Sequence, residues 1–152
     1  MTHLRRLAAF GLATTLLGCA STAPPVPSLA GTRWHIEAFQ SMDDAQGTLR
    51  PQDPTRWTLA FGADGRAVLR LDCNRGTATW QAQPAATSTA ERASGQLQLG
   101  PLATTRAQCP EEAMTQRLLR SWPYLRSYVI EGGRLHLSLV ADGGIVTWAP
   151  AP

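Results

Sequence analysis

The side chains best placed to do chemistry are three cysteines, Cys19, Cys73 and Cys109, and the arginines near two of them. In an oxidising compartment, two cysteines in one small domain most often join as a disulfide, and Cys73 and Cys109 fit that pairing. The loop so closed has about 37 residues, which loop-closure entropy converts to roughly 4 kcal/mol of stability. Two other chemistries compete for the same thiols. Zinc could recruit Cys73, Cys109, His35 and His136, but there is no CxxC and no tight ligand spacing. A cysteine nucleophile with a histidine base would be quenched by a second cysteine within bonding reach. The disulfide is therefore the favoured reading, with no metal and no cofactor expected.

Arg75 and Arg106 stand within three residues of the paired cysteines. They are candidate contacts for an anion or a partner, since a guanidinium grips carboxylate or phosphate in a fork. The plainer expectation, and the favoured one, is that they brace the helix by pairing with Asp72 or Glu111. Trp80 and Trp122 are candidates for a cavity mouth, with ordinary core the weightier alternative. The carboxylates offer little. Glu111-Glu112 suits a helix start, Asp43-Asp44 lies in a polar connection, and Asp64 and Asp142 belong to turns. No serine sits in a nucleophile elbow and no glycine run has phosphate-loop spacing. Catalysis is not expected.

Cys19 belongs to different chemistry. Residues 1–18 read as an export signal, with Arg5-Arg6 in a short positive head and an uncharged run from Leu7 to Leu17. That run is too short to span a bilayer as a helix. Its exit, Leu16-Leu17-Gly18-Cys19, resembles the bacterial lipobox, where the cysteine thiol takes a diacylglyceryl group. Residues 19–28 then read as a tether, with Pro24, Pro25 and Pro27 favouring an extended chain. Ala20 stands where enteric inner-membrane lipoproteins carry Asp. The expected location is the outer membrane, with the domain in the periplasm.

Without the signal, 134 residues remain, enough for one domain, spanning 29–149. They carry 12 Arg against 11 acids, and so small an excess excludes nucleic-acid binding by bulk charge. Every basic residue is Arg, which reads as the mark of a GC-rich genome before it reads as chemistry.

The elements that must position these groups are mostly strands. Thr32–Phe39 puts Trp34, Ile36 and Ala38 on one face, and Arg56–Phe61 alternates with Trp57, Leu59 and Phe61 inward. Gly62-Ala63-Asp64-Gly65 is turn chemistry, so Arg66–Asp72 pairs back as a hairpin. Thr77–Ala82 and Gln96–Leu102 are further strands, while Gln83–Gly95 reads as a mobile loop. Pro110-Glu111-Glu112 opens one helix with Met114, Leu118 and Trp122 on its apolar face. Strands at Tyr124–Glu131, Arg134–Ala141 and Ile145–Trp148 finish the chain. About eight strands and one helix, without a βαβ rhythm, predict an α+β, mainly β fold. It is a small antiparallel barrel, or a half-barrel whose open side the helix covers.

Leu71-Asp72-Cys73-Asn74-Arg75-Gly76 and Leu102-Ala103-Thr104-Thr105-Arg106-Ala107-Gln108-Cys109 resemble two signature segments of the META domain of HslJ-like bacterial lipoproteins. Gly31-Thr32-Arg33-Trp34, Thr58–Phe61, Tyr128–Ile130 and Leu135–Leu137 fall in the matching order, and the resemblance covers Leu29–Trp148. It implies a barrel-like β-structure packed with a helix, and an envelope role in stress response, drug tolerance or secretion. It carries over no catalytic residues. The functional expectation is a lipid-anchored monomer with a binding or support role. Two alternatives are a pilot-like carrier of a lipid or secretion component, and an inhibitor of a cell-wall hydrolase. The partner is then an envelope protein or lipid.

Overall fold

A computed structural model describes residues 25–152. The signal segment, Cys19 and the tether as far as Pro24 lie outside the described residues. The chain from Pro25 to Ser28 has no regular structure, and Leu29 is the first residue to be buried.

Ten strands follow with one α-helix: β1 (Thr32–Ser41), β2 (Thr48–Leu49), β3 (Trp57–Phe61), β4 (Arg66–Leu71), β5 (Asn74–Pro84), β6 (Arg92–Leu99), β7 (Ala103–Thr104), α1 (Glu112–Ser121), β8 (Leu125–Glu131), β9 (Arg134–Leu139) and β10 (Gly144–Pro150). Eight of them close a barrel in the order β1-β3-β4-β5-β6-β8-β9-β10, and β10 returns to pair with β1. Every pairing is antiparallel. Closure gives each of the eight strands a partner on both sides, though not along its whole length. The short β2 and β7 lie outside the circuit, on β1 and β5.

Alternation decides which side chains fill the interior. Trp57, Leu59 and Phe61 point inward, as do Ala67, Leu69 and Leu71 on β4. On β1 the period-two pattern breaks at Glu37, where the register against β10 slips by one residue. This bulge resets the phase, so Phe39 and Ser41 turn inward and Gln40 outward. Leu135, Leu137, Val146 and Trp148 complete the far wall.

The segment 83–95 differs from expectation. β5 runs on to Pro84 and β6 begins at Arg92, so only Ala85–Glu91 is left as a connection. Small side chains hid the strand, for Ala93 is fully buried yet gives almost no hydrophobic signal. Gly95 is also required there, because a Cβ would strike the Pro84 backbone and the Tyr128 ring. The connection is tied down too, with the Ser88 hydroxyl bonded to both backbone groups of Ser94.

The helix does not cover an open side, because the barrel has none. It lies across one mouth, from beside the β4–β5 turn to the start of β8. Met114, Leu118 and Trp122 point into the core, and buried Thr115 accepts a 3.1 Å hydrogen bond from Trp57 Nε1. Pro123 ends the helix in a single 3-10 turn, Trp122–Tyr124. At the other mouth Leu29 is buried and its carbonyl accepts from the Thr32 N–H and hydroxyl.

Candidate functional site

The two cysteine-bearing segments meet at the mouth that α1 covers. The β4–β5 turn consists of Asp72 and Cys73, since Leu71 pairs directly with Asn74. Asp72 has φ 62°, a left-handed conformation that Asp tolerates better than most residues. It is fully buried. One carboxylate oxygen forms an ion pair with Arg56, and the other accepts the Glu111 N–H at 3.0 Å where the helix begins. A negative charge on an otherwise unpaired N–H at that end also suits the helix dipole.

Cys73 is bonded to Cys109, with Cα atoms 5.6 Å apart. This joins the turn to the start of the helix and removes both thiols from zinc or nucleophilic chemistry. Asn74 completes the joint. Its Nδ2 donates to the Ala107 carbonyl at 2.8 Å and to Cys109 Sγ at 3.0 Å. Its Oδ1 accepts from the Thr105 hydroxyl at 2.8 Å and the Ala107 N–H at 2.7 Å. All the hydrogen-bonding capacity of the amide is thereby used inside the protein. Asp72, Cys73 and Asn74 therefore work as a three-residue clasp on the second segment.

Arg75 and Arg106 do not play the bracing part expected of them. Asp72 takes Arg56 instead, and the Glu111 side chain accepts from the Gln52 N–H. Arg56 was not apparent from sequence, although it precedes the strand that pairs with β4 and so lies beside the turn. The backbone holds Arg75 against Thr105, through bonds of 3.0 Å each way. Yet their surroundings differ: Arg75 opens onto the outer wall of the barrel, and Arg106 onto a cleft beside α1.

Trp80 and Trp122 are core residues and not the rim of an empty lumen. Trp80 packs edge-on against Phe61 and donates to the Gly62 carbonyl at 3.1 Å; Trp122 donates to the Gly100 carbonyl at 3.0 Å. All five tryptophans are buried. Among the described residues, neither histidine forms a metal-holding group with Cys73 or Cys109: His136 Nδ1 lies 3.2 Å from Thr147 Oγ1 on the outside of the barrel, and His35 faces outward on β1.

What the clasp leaves open is a groove along the flank of α1. It consists of two adjoining depressions of about 600 and 550 Å³ that share Leu102 and Leu119. Arg106 and Glu112 stand in one, Trp122 and Arg126 in the other. Backbone edges face it as well. Gln98 and Leu99 pair only with β5, because β8 leaves β6 at Gln96, and β7 likewise pairs only with β5.

The META domain model matches residues 27–151. The chain belongs to the META domain family. Within the matched region, the two cysteine segments fasten the helix to the barrel. Among solved structures, the META chain is similar to a protein from Burkholderia xenovorans determined by NMR, with a TM-score of 0.61 at 17% identity, covering 91% of this chain and 99% of that one. A crystal structure of a DUF4847 family protein from Bacteroides vulgatus is less alike, with a TM-score of 0.49 at 14% identity over 80% of this chain and 93% of that one. The first likeness establishes a shared fold. No curated protein sequence shows a significant match to the chain.

Proposed function

We propose that this META-domain chain is a non-catalytic binding module, lipid-anchored through Cys19 in a bacterial envelope and facing the periplasm. It supports stress or drug tolerance by engaging an envelope partner through the groove beside α1. The observation that carries this reading is how the signature side chains are used. Asp72, Cys73, Asn74 and Cys109 are bonded to one another or to the segments they join, so their chemistry is spent on the scaffold. The groove, by contrast, offers Leu102 and Leu119 with unpaired strand edges alongside, which is the arrangement an extended peptide uses when it adds to a sheet. Carriage of a lipid inside the barrel draws less support, because a continuous core that includes Trp57, Trp80 and Trp148 fills the interior.

The test is complementation in the bacterium that encodes the chain. Cells lacking it are challenged with envelope-active drugs, and the wild type, Leu119→Glu and Cys19→Ser are supplied in turn. Rescue by the wild type but not by Leu119→Glu, with the variant folded and exported, supports the groove. Equal rescue by Leu119→Glu refutes it. Cys19→Ser tests the anchor separately, through loss of fatty-acid labelling and of membrane fractionation.

A further inference from the structure

Four strands lie side by side on one wall of the barrel in the order β1, β3, β4, β5, and their outward residues form a grid. The register sets His35, Thr58, Arg70 and Arg75 in one row and Arg33, Ala60, Val68 and Thr77 in the next. Arg66 stands opposite Thr79 in a third. A shallow depression of about 850 Å³ lies over the first two rows, floored by Thr58, Ala60 and half-exposed Val68 and edged by Arg33, Arg70 and Arg75.

No close ion pair among the described residues balances the charge on this wall, although Arg70 Nε donates to the Asp72 carbonyl at 3.1 Å and Ala151 and Pro152 also line the depression. Arg70 and Arg75 are direct cross-strand neighbours, an arrangement of like charges that weakens a sheet. Among the described residues, none of Arg33, Arg66, Arg70 and Arg75 forms an ion pair with a carboxylate. The nearby acids are engaged elsewhere. Asp72 is buried against Arg56, and Glu37, farther along β1, is held 2.7 Å from Arg134. Asp64 accepts the Arg66 backbone N–H. Asp53 accepts from the Thr55 hydroxyl and N–H, which hold its carboxyl below the usual range; the weaker attraction of Arg56 and Arg70 adds to this, so Arg70 is partly offset by it. Four of the twelve Arg thus share one wall, while the rest of the described chain carries eight Arg against eleven acids. The near-neutral total conceals a polarised surface.

We propose that this wall is a docking surface for an anionic phospholipid bilayer, its guanidiniums taking phosphates of neighbouring headgroups. Complementary charge selects the partner, and layout selects a surface over a small molecule. Four strands at about 4.8 Å spacing spread the arginines across roughly 14 Å, and the depression between them is open rather than enclosing. Guanidiniums are suited to the task because each offers a planar fork of donors to phosphate oxygens. The inference goes beyond the tethered-module reading and does not require lipidated Cys19, because the domain itself carries the charge.

The test uses a fragment spanning residues 25–152, which holds the whole closed barrel, its core and its disulfide. Flotation is measured with vesicles of phosphatidylcholine alone and of phosphatidylcholine mixed with phosphatidylglycerol. The expected result is binding to the mixed vesicles only, falling steeply as salt screens the contact. Arg70→Ser with Arg75→Ser weakens binding by about fivefold for each arginine removed. The same charge change made elsewhere, Arg92→Gln with Arg120→Gln, leaves it within about twofold, and thermal melts confirm that both double variants are folded. Failure to bind the mixed vesicles overturns the proposal, as does an equal loss in the two double variants. Saturable binding of glycerol 3-phosphate in solution without vesicle binding overturns it too, and reassigns the wall to a small phosphate ester. Loss of fatty-acid labelling at Cys19 bears on the anchor alone and is read separately.

Discussion

Replacing Asp72 with Ala removes an acceptor that serves two partners and a residue that tolerates its own backbone. Three costs follow. Arg56 loses its ion pair; cutting one member from a buried pair costs about 3–5 kcal/mol, and the lower part of that range applies because the Arg56 side chain is 28% exposed and regains some water. The Glu111 N–H loses its acceptor at the helix start, about 1–3 kcal/mol where no water replaces it. Ala at φ 62° adds about 1 kcal/mol of strain that Asp largely avoids. These costs share a site and do not simply add, so the expected loss is about 4 kcal/mol, near half the stability of many domains. Asp72→Asn keeps one acceptor oxygen and the tolerance for positive φ but loses the charge and turns an NH2 donor toward one of the two partners, for about 3 kcal/mol. The assay is urea unfolding of oxidised protein followed by tryptophan fluorescence, with Arg56→Gln added to close a double-mutant cycle. A loss under about 1 kcal/mol for Asp72→Ala refutes the clasp, and so does an Asn variant as unstable as the Ala variant.

Reduction, or Cys73→Ser with Cys109→Ser, lowers stability by roughly 4 kcal/mol at most, read from the urea midpoint with and without reductant. Gly95→Ala forces a Cβ onto the Pro84 backbone and the Tyr128 ring, so thermal denaturation shows a loss of about 1–3 kcal/mol; an unchanged melt contradicts the close packing of β5, β6 and β8. Trp57→Phe keeps most of the core volume but orphans the buried Thr115 hydroxyl, costing about 1–2 kcal/mol, and amide exchange quickens first in α1. The hydrogen bond from Arg134 holds the Glu37 carboxyl below its ordinary value of 4.5. The folded pKa is thus the lower one, and the pair's contribution is complete above 4.5 and fades as pH falls through the folded value. Arg134→Gln is therefore slightly less stable than wild type at neutral pH, and the two melts converge in acid.

Strands with large alternating side chains were legible in the sequence. Trp57, Leu59 and Phe61 announce β3, and Leu135 with Leu137 announces β9, because period two is visible when the inward residues are bulky. Ala93 and Gly95 announce nothing, since their role is to be small where backbones come close. The bulge at Glu37 was hidden for another reason: a phase reset appears only against a partner strand, and β10 lies at the far end of the chain. Barrel closure is invisible to local pattern on the same ground. At the clasp, the cysteines could be paired from compartment and count alone. The choice of Arg56 over Arg75 as the partner of Asp72 could not, because it depends on which way the turn carries the carboxylate. Asn74 stood in plain view within a motif, but its four bonds all reach a segment some thirty residues away.

The seam between β1 and β10 has a consequence for how the molecule is made. Its partners, such as Ser41 with Gly144 and Trp34 with Pro150, are more than a hundred positions apart. A ribosome or a translocation channel delivers β1 first and β10 last, so the barrel cannot close until nearly the whole chain has emerged. Contacts of such long range also slow folding, because the entropy of bringing distant segments together is lost before any burial repays it. Until then β1 is an open strand edge with Trp34, Ile36 and Phe39 uncovered. A chain that loses its last strand is left in that state permanently, prone to pair with another copy of itself.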